Sequence, residues 1–202
     1  MTDSYQLVAG VDEVGRGALF GPVVAAVVVT TPTVLQEFAS LGVKDSKQLS
    51  SQKRSQLVVG IQQLALDYQI ASATAQEIDC INILQASLLA MKRAISQLKT
   101  TPEICLIDGK HKIPGLELPQ KTIIQGDRNS LAIAAASILA KVWRDNLITK
   151  LAQNHPEYGL ENNKGYPTKQ HRLALEKYGV STEHRQSFRP CQINENNYKS
   201  KK

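Results

Sequence analysis

Residues Leu7–Val29 read LVAGVDEVGRGALFGPVVAAVVV. Two apolar runs, Leu7–Val11 and Val23–Val29, enclose a short polar island. Runs of this length, rich in β-branched residues, are too short to span a membrane and predict buried strands. The island holds Asp12, Glu13, Gly15, Arg16, Gly17, Gly21 and Pro22. An acidic pair at the end of a buried strand is costly unless something positive meets it. Successive strand side chains point to opposite faces, so Asp12 and Glu13 are expected to share a site only if the strand ends at them. The glycines would supply the turn and let another backbone approach closely. Two readings stand at this point: a hairpin whose acids are solvated, or a site for hard cations.

Outward from this hairpin, Val34–Phe38 predicts a short helix and Val43–Ser50 a polar loop. Ser50 is placed to cap a helix over Ser51–Leu64, with Leu57, Val58, Ile61 and Leu64 at helical spacing. Tyr68–Thr74 predicts a third strand beside the hairpin. Glu77–Leu98 is amphipathic, with Ile81, Leu84, Leu88, Met91, Ala94, Ile95 and Leu98 on its apolar face. Ile104–Ile107 and Thr122–Ile124 predict two short strands separated by a loop rich in Pro and Gly. A long helix follows from Ser130 to Leu151, and a shorter one over His171–Tyr178.

Asp108 and Asp127 repeat the arrangement of Asp12, each where an apolar strand gives way to a loop. In open sheets built with helices, sites gather beyond the carboxyl ends of parallel strands. A helical crossover lets the fourth strand lie parallel to the first, which puts Asp12, Asp108 and Asp127 at one sheet edge. An aspartate at a strand end is often only a turn former or helix cap, and Asp127 stands near the start of a helix. Clustered carboxylates repel unless a counterion intervenes, and a divalent metal removes that repulsion.

The chain has 202 residues and a formal net charge of +6. That length suits one domain with a sizeable core, and the basic balance fits a polyanionic partner. Cys80, Cys105 and Cys191 lack metal-ligand spacing; Cys80 and Cys105 are read as small buried hydrophobes. With no basic leader and no membrane-length apolar run, a cytoplasmic protein is expected. The tail Asn194–Lys202 lacks core residues and is predicted to be disordered. No unpaired long apolar helix is evident, so a monomer is expected.

The ordered set VDEVGRG (Val11–Gly17), KDSK (Lys44–Lys47), LIDGK (Leu106–Lys110), QGD (Gln125–Asp127), SLAIAAASILAKVWRD (Ser130–Asp145), NKGYPT (Asn163–Thr168) and HRQSF (His184–Phe188) resembles the bacterial ribonuclease HII family, the type 2 ribonucleases H. The resemblance runs from Leu7 to about Pro190. It implies an α/β, RNase H-like fold: a mixed five-stranded sheet flanked by helices, with a small helical C-terminal extension. Three strands would be joined first by a hairpin, and two more reached through helices. Residues 1–152 would form the catalytic core, 153–190 a substrate-binding extension of the same domain, and 191–202 the tail.

The same resemblance implies an endoribonuclease that cuts the RNA strand of RNA/DNA hybrids. It would also incise 5′ of single ribonucleotides embedded in duplex DNA, leaving a 3′-hydroxyl and a 5′-phosphate. Matched by motif, Asp12, Glu13, Asp108 and Asp127 would be catalytic metal ligands for two Mg²⁺ or Mn²⁺ ions. Gly15, Arg16 and Gly17 would contact the ribose 2′-hydroxyl, Tyr166 would stack on the neighbouring deoxyribose, and Lys47 with Ser46 would meet the phosphate backbone. Lys141, His184, Arg185 and Ser187 are further groove candidates, while Arg144 and Asp145 are read as a structural pair. Type 3 enzymes carry an added N-terminal domain and are disfavoured. A nuclease-like binder would lack a carboxylate. A transposase or resolvase would lack the GRG and GYP pair.

Overall fold

A computed structural model describes residues 5–192; the predicted disorder of the tail lies outside the described residues. Five strands form one sheet in the order β3-β2-β1-β4-β5. They are β1 (Val8–Val14), β2 (Val23–Thr30), β3 (Asp67–Ala73), β4 (Ile104–Asp108) and β5 (Gln120–Ile123). The first three pair antiparallel, whereas β4 lies parallel to β1 and β5 parallel to β4. The mixed sheet expected from the sequence is therefore present. β5 is reached from β4 by the Pro- and Gly-rich loop that the sequence predicts, and Gln120 holds that loop through bonds to Ile113 and Leu116.

The buried strand β2 shows why both faces need helices. Val23, Ala25, Val27 and Val29 pack with α3 (Ala75–Ser96) on one face. Val24, Ala26 and Val28 pack on the other, against α1 (Pro32–Leu41), α2 (Ser51–Leu64) and α5 (Leu131–Ala152). A continuous apolar run is what a strand covered on both sides requires. Ser50 caps α2 as its sequence predicts, accepting from the Lys53 amide at 3.2 Å. On β1, Gly10 touches α5 so closely that a methyl group there would collide with the Ala132 backbone.

Helix α3 begins at a reciprocal capping box between Thr74 and Glu77. It breaks at Asn82, whose φ is 66°, and the Asn82 carboxamide recaps the chain by accepting from the Leu84 and Gln85 amides. The break interrupts the apolar period, so Ile81 is left partly exposed while Ile78 takes the core position. Cys80 is exposed, not buried as expected. It lies two residues from Ile78, roughly 200° around the helix.

Beyond α5 the chain forms α6 (Leu160–Asn163) and α7 (Lys169–Tyr178). This segment shares a small core with Leu19, Phe20 and Ile148. A short α4 (Gly126–Asn129) precedes α5. Among the described residues no helix is long and apolar enough to cross a membrane.

Candidate active site

The first strand does not end at its acids. β1 continues to Val14, and Asp12 and Glu13 stay in register with Ala26 and Ala25 of β2. What stops is the partner on the other side, because the last β1–β4 pair is Val11 with Ile107. Past that point β1 has an open edge, and side chains from both of its faces can bend around it. Asp12 and Glu13 meet Asp108, the last residue of β4, at this edge, with one ligand oxygen from each lying within 4.8 Å of the others.

Each carboxylate is held. Asp12 Oδ1 accepts from the Glu13 amide at 2.7 Å, and the Ser137 hydroxyl also hydrogen-bonds to Asp12. Glu13 Oε1 pairs with the Arg16 guanidinium at 3.1 Å. Asp108 Oδ1 accepts from the Gly126 amide at 2.6 Å. Burial raises the Asp12 pKa well above the ordinary carboxylate range, and the charges of Glu13 and Asp108 push the same way. Burial also raises Glu13, opposed by Arg16. Glu13 Oε2 is buried without a hydrogen-bond partner. An all-oxygen cluster with an orphaned carboxylate oxygen and mutual repulsion fits a hard divalent cation.

All the predicted site residues except Asp127 line one cleft of about 370 Å³. Gly15 (φ +90°) turns the chain there, and a side chain at that position would strike the Arg144 guanidinium. Arg16, Lys47, Arg54 and Lys141 supply positive charge to the walls, and Tyr166 forms one side. Asp127 sits differently. It belongs to α4 rather than to a strand end, and its Oδ2 pairs with Lys47 Nζ at 2.8 Å. That hydrogen bond is the main cause raising the Lys47 pKa.

Ser137 and Arg54 hold this cleft without having been singled out by sequence. Ser137, the one polar residue in LAIAAASILA, lies 2.9 Å from the Ser46 hydroxyl and so links the loop to Asp12. Arg54 donates to the carbonyls of Ser46 and Leu49. Arg144 is fully buried and does not pair with Asp145, whose partner is Lys141. Its guanidinium instead donates to the carbonyls of Phe20, Pro22 and Lys164. Arg185 and His184, read as groove residues, are also buried. Arg185 donates to the carbonyls of Arg16 and Gly21. Ser187 is tied to Asp79, while Lys141 does line the cleft.

A mixed five-stranded sheet with helices on both faces and clustered acids at its open central edge defines a metal-dependent nuclease of the RNase H-like fold. The family description for ribonuclease HII matches residues 9–191, and the chain belongs to that family. A ribonuclease HII from Trichormus variabilis is 57% identical over 187 residues, covering 93% of this chain and 83% of the relative. The crystal structure of the ribonuclease H2 from Pyrococcus horikoshii OT3 is 29% identical, with a TM-score of 0.83, covering 96% of this chain and 99% of that one. Bst-RNase HIII in complex with Mn²⁺ is 20% identical with a TM-score of 0.73, covering 93% of this chain and 68% of that one, a likeness of fold alone.

Proposed function

We propose that this chain is a divalent-metal-dependent ribonuclease H. It hydrolyses the RNA strand of RNA/DNA hybrids and incises 5′ of single ribonucleotides in duplex DNA, leaving 3′-hydroxyl and 5′-phosphate ends. Its role is the removal of ribonucleotides and RNA primers from DNA, in the cytoplasm and as a monomer. The observation that carries this reading is the convergence of Asp12, Glu13 and Asp108 around the unpartnered Glu13 Oε2, in a chain of the ribonuclease HII family.

Asp12, Glu13 and Asp108 would hold the metal, with Asp127 as a fourth ligand. Two bound Mg²⁺ or Mn²⁺ ions would supply charge neutralisation at the phosphate and a more acidic water. The remaining work falls to the protein. Ser137 and the Glu13 amide keep Asp12 aimed into the cleft. Lys47 meets the phosphate backbone with Ser46 beside it, and Arg16 stands with Gly15 and Gly17 at the ribose. The Gly15–Gly17 segment offers bare main chain to the ribose 2′-hydroxyl, and Tyr166 packs on the adjoining sugar. Asp127 would be available as a fourth ligand once Lys47, whose ammonium pairs with its Oδ2 at 2.8 Å, turned to a substrate phosphate. The segment after residue 152 carries Tyr166 and acts as the substrate-binding part of the domain.

One assay tests this. Duplex DNA with one ribonucleotide, all-DNA duplex and RNA/DNA hybrid are each offered with Mg²⁺, Mn²⁺ or chelator. Metal-dependent incision 5′ of the ribonucleotide supports the reading. Binding without cleavage, or cutting of all-DNA duplex, would overturn it.

A further inference from the structure

Two fully buried histidines, His171 and His184, take no part in the chemistry above. Hydrogen-bond bookkeeping fixes their tautomers. The Ser181 amide donates to His184 Nδ1 at 3.0 Å. An amide can only donate, so Nδ1 carries a lone pair and the His184 proton sits on Nε2. That nitrogen lies 3.1 Å from His171 Nε2, which must therefore accept. The His171 proton is then on Nδ1, 3.0 Å from the Tyr166 carbonyl oxygen, which can only accept. The donations run one way, from Ser181 through His184 and His171 to Tyr166.

Both ends of this relay join walls of the cleft. At one end is Tyr166, whose ring lies against Lys141 and Arg144. At the other, His184 bridges to Phe20, three residues beyond Gly17. Gly21 donates to the Glu183 carbonyl and Arg185 to the Leu19 carbonyl, each at 2.8 Å. Leu19 donates in turn to the Gly165 carbonyl at 2.8 Å, next to Tyr166.

We propose that the His171–His184 pair is a positioning device that fixes Tyr166 relative to the Gly15–Gly17 segment, and so sets the enzyme's selectivity for an embedded ribose. This rests on the reading of Tyr166 as a sugar-contacting residue. Neither histidine touches substrate.

The device works only while both rings are neutral. A second proton on His171 would set donor against donor across the pair, and one on His184 Nδ1 would face the Ser181 amide at 3.0 Å even though the Ser181 hydroxyl, 2.9 Å away, could turn to accept it. Burial favours the neutral forms, lowering His171 and bringing His184 down to about 3, with His171 and His155 adding to the latter shift. The titratable groups around the pair are His155 and Tyr158, with Glu157 at 3.9 Å from His155. Arg185, next in the chain, turns its guanidinium to the Gly21 and Arg16 carbonyls. Among the described residues, no carboxylate hydrogen-bonds to either ring.

The test uses steady-state incision of duplex DNA with one ribonucleotide, in Mn²⁺, for His171→Leu, His171→Asn, Tyr166→Ala and the double variant His171→Leu/Tyr166→Ala. The asparagine amide nitrogen replaces Nδ1 and still donates to the Tyr166 carbonyl. We expect His171→Leu to raise KM ~10-fold with kcat changed less than ~3-fold, His171→Asn to recover most of that loss, and His171→Leu to add nothing once Tyr166 is alanine. Multiplying effects in the double variant would overturn the positioning role while leaving Tyr166 a substrate contact. An unchanged KM in Tyr166→Ala would instead overturn the reading of Tyr166. A second measurement needs no variant and no activity: ¹⁵N NMR of the histidine rings in the metal-free protein. It should show Nδ1–H on His171 and Nε2–H on His184 from about pH 8 to about pH 6. The opposite tautomers, or a doubly protonated ring in that range, would overturn the proposal.

Discussion

Lys47 Nζ lies 2.8 Å from Asp127 Oδ2, and the lysine is largely exposed while the aspartate is buried. An ammonium so placed competes with a cation for the same carboxylate. It also bears on Asp12, whose charge helps raise the Lys47 pKa. Lys47→Ala should therefore tighten Mn²⁺ binding in the absence of substrate by ~5-fold, equivalent to about 1 kcal/mol for a solvent-screened pair. The same variant should raise KM for substrate. Calorimetric Mn²⁺ titration checks the first effect and incision kinetics the second; weaker metal binding would show that Lys47 organises the acids rather than competing for them.

Asp12 and Glu13 both titrate above their ordinary range in the fold. Their ionised forms therefore oppose folding near neutral pH, and that opposition fades as pH falls through the raised values toward the unfolded ones. Asp12→Asn should raise the metal-free Tm at neutral pH by ~2–4 °C, as expected for about 1 kcal/mol in a chain of this size. The gain should shrink as the pH is lowered. Turnover should be abolished with substrate binding largely intact. Calorimetric scans with chelator and with Mg²⁺ check both signs.

Gly15→Ala combines two penalties. The position has a φ of +90°, and the added methyl group would press on the buried Arg144 guanidinium. Displacing Arg144 would also strip partners from the Phe20, Pro22 and Lys164 carbonyls. A loss of ~2–4 kcal/mol is expected, measured by urea unfolding. A loss below ~0.5 kcal/mol would mean that Arg144 has room to move.

The histidine pair makes a separate prediction about acid. Both rings are held below the ordinary value of about 6.5. The stability they contribute is complete above that value and is lost as pH falls below about 6.5, for His184 down toward about 3 and by at most ~1.4 kcal/mol per pH unit, with His171 shifting in the same direction. Urea midpoints across this range check it. The measurement is cleanest in Asp12→Asn protein, where one opposing carboxylate is gone.

Much of the fold can be read from period and caps. The apolar runs of β1 and β2, the Ser50 cap and the apolar face of α3 each follow from local residue chemistry. What could not be read locally depends on where a neighbouring strand stops. Asp12 and Glu13 meet because β4 ends early, not because β1 does. Motif order placed Asp127 among the ligands, yet nothing in QGD signals that Lys47, eighty residues away, occupies it. Arg185 and His184 look like groove residues in sequence, and Arg144 like the ion-pair partner of Asp145, yet all three are buried. The guanidinium groups of Arg144 and Arg185 turn inward to main-chain carbonyls at Arg16, Phe20, Gly21 and Pro22, more than 120 residues away in the chain, which no local pattern announces.

The contact between Gly10 and Ala132 bears on how the cleft can breathe. With main chain against main chain, β1 and α5 have no cushion of side chains that could slide or compress. Asp12 on one and Ser137 on the other therefore travel as a single block. A duplex entering the cleft therefore meets a floor of fixed shape.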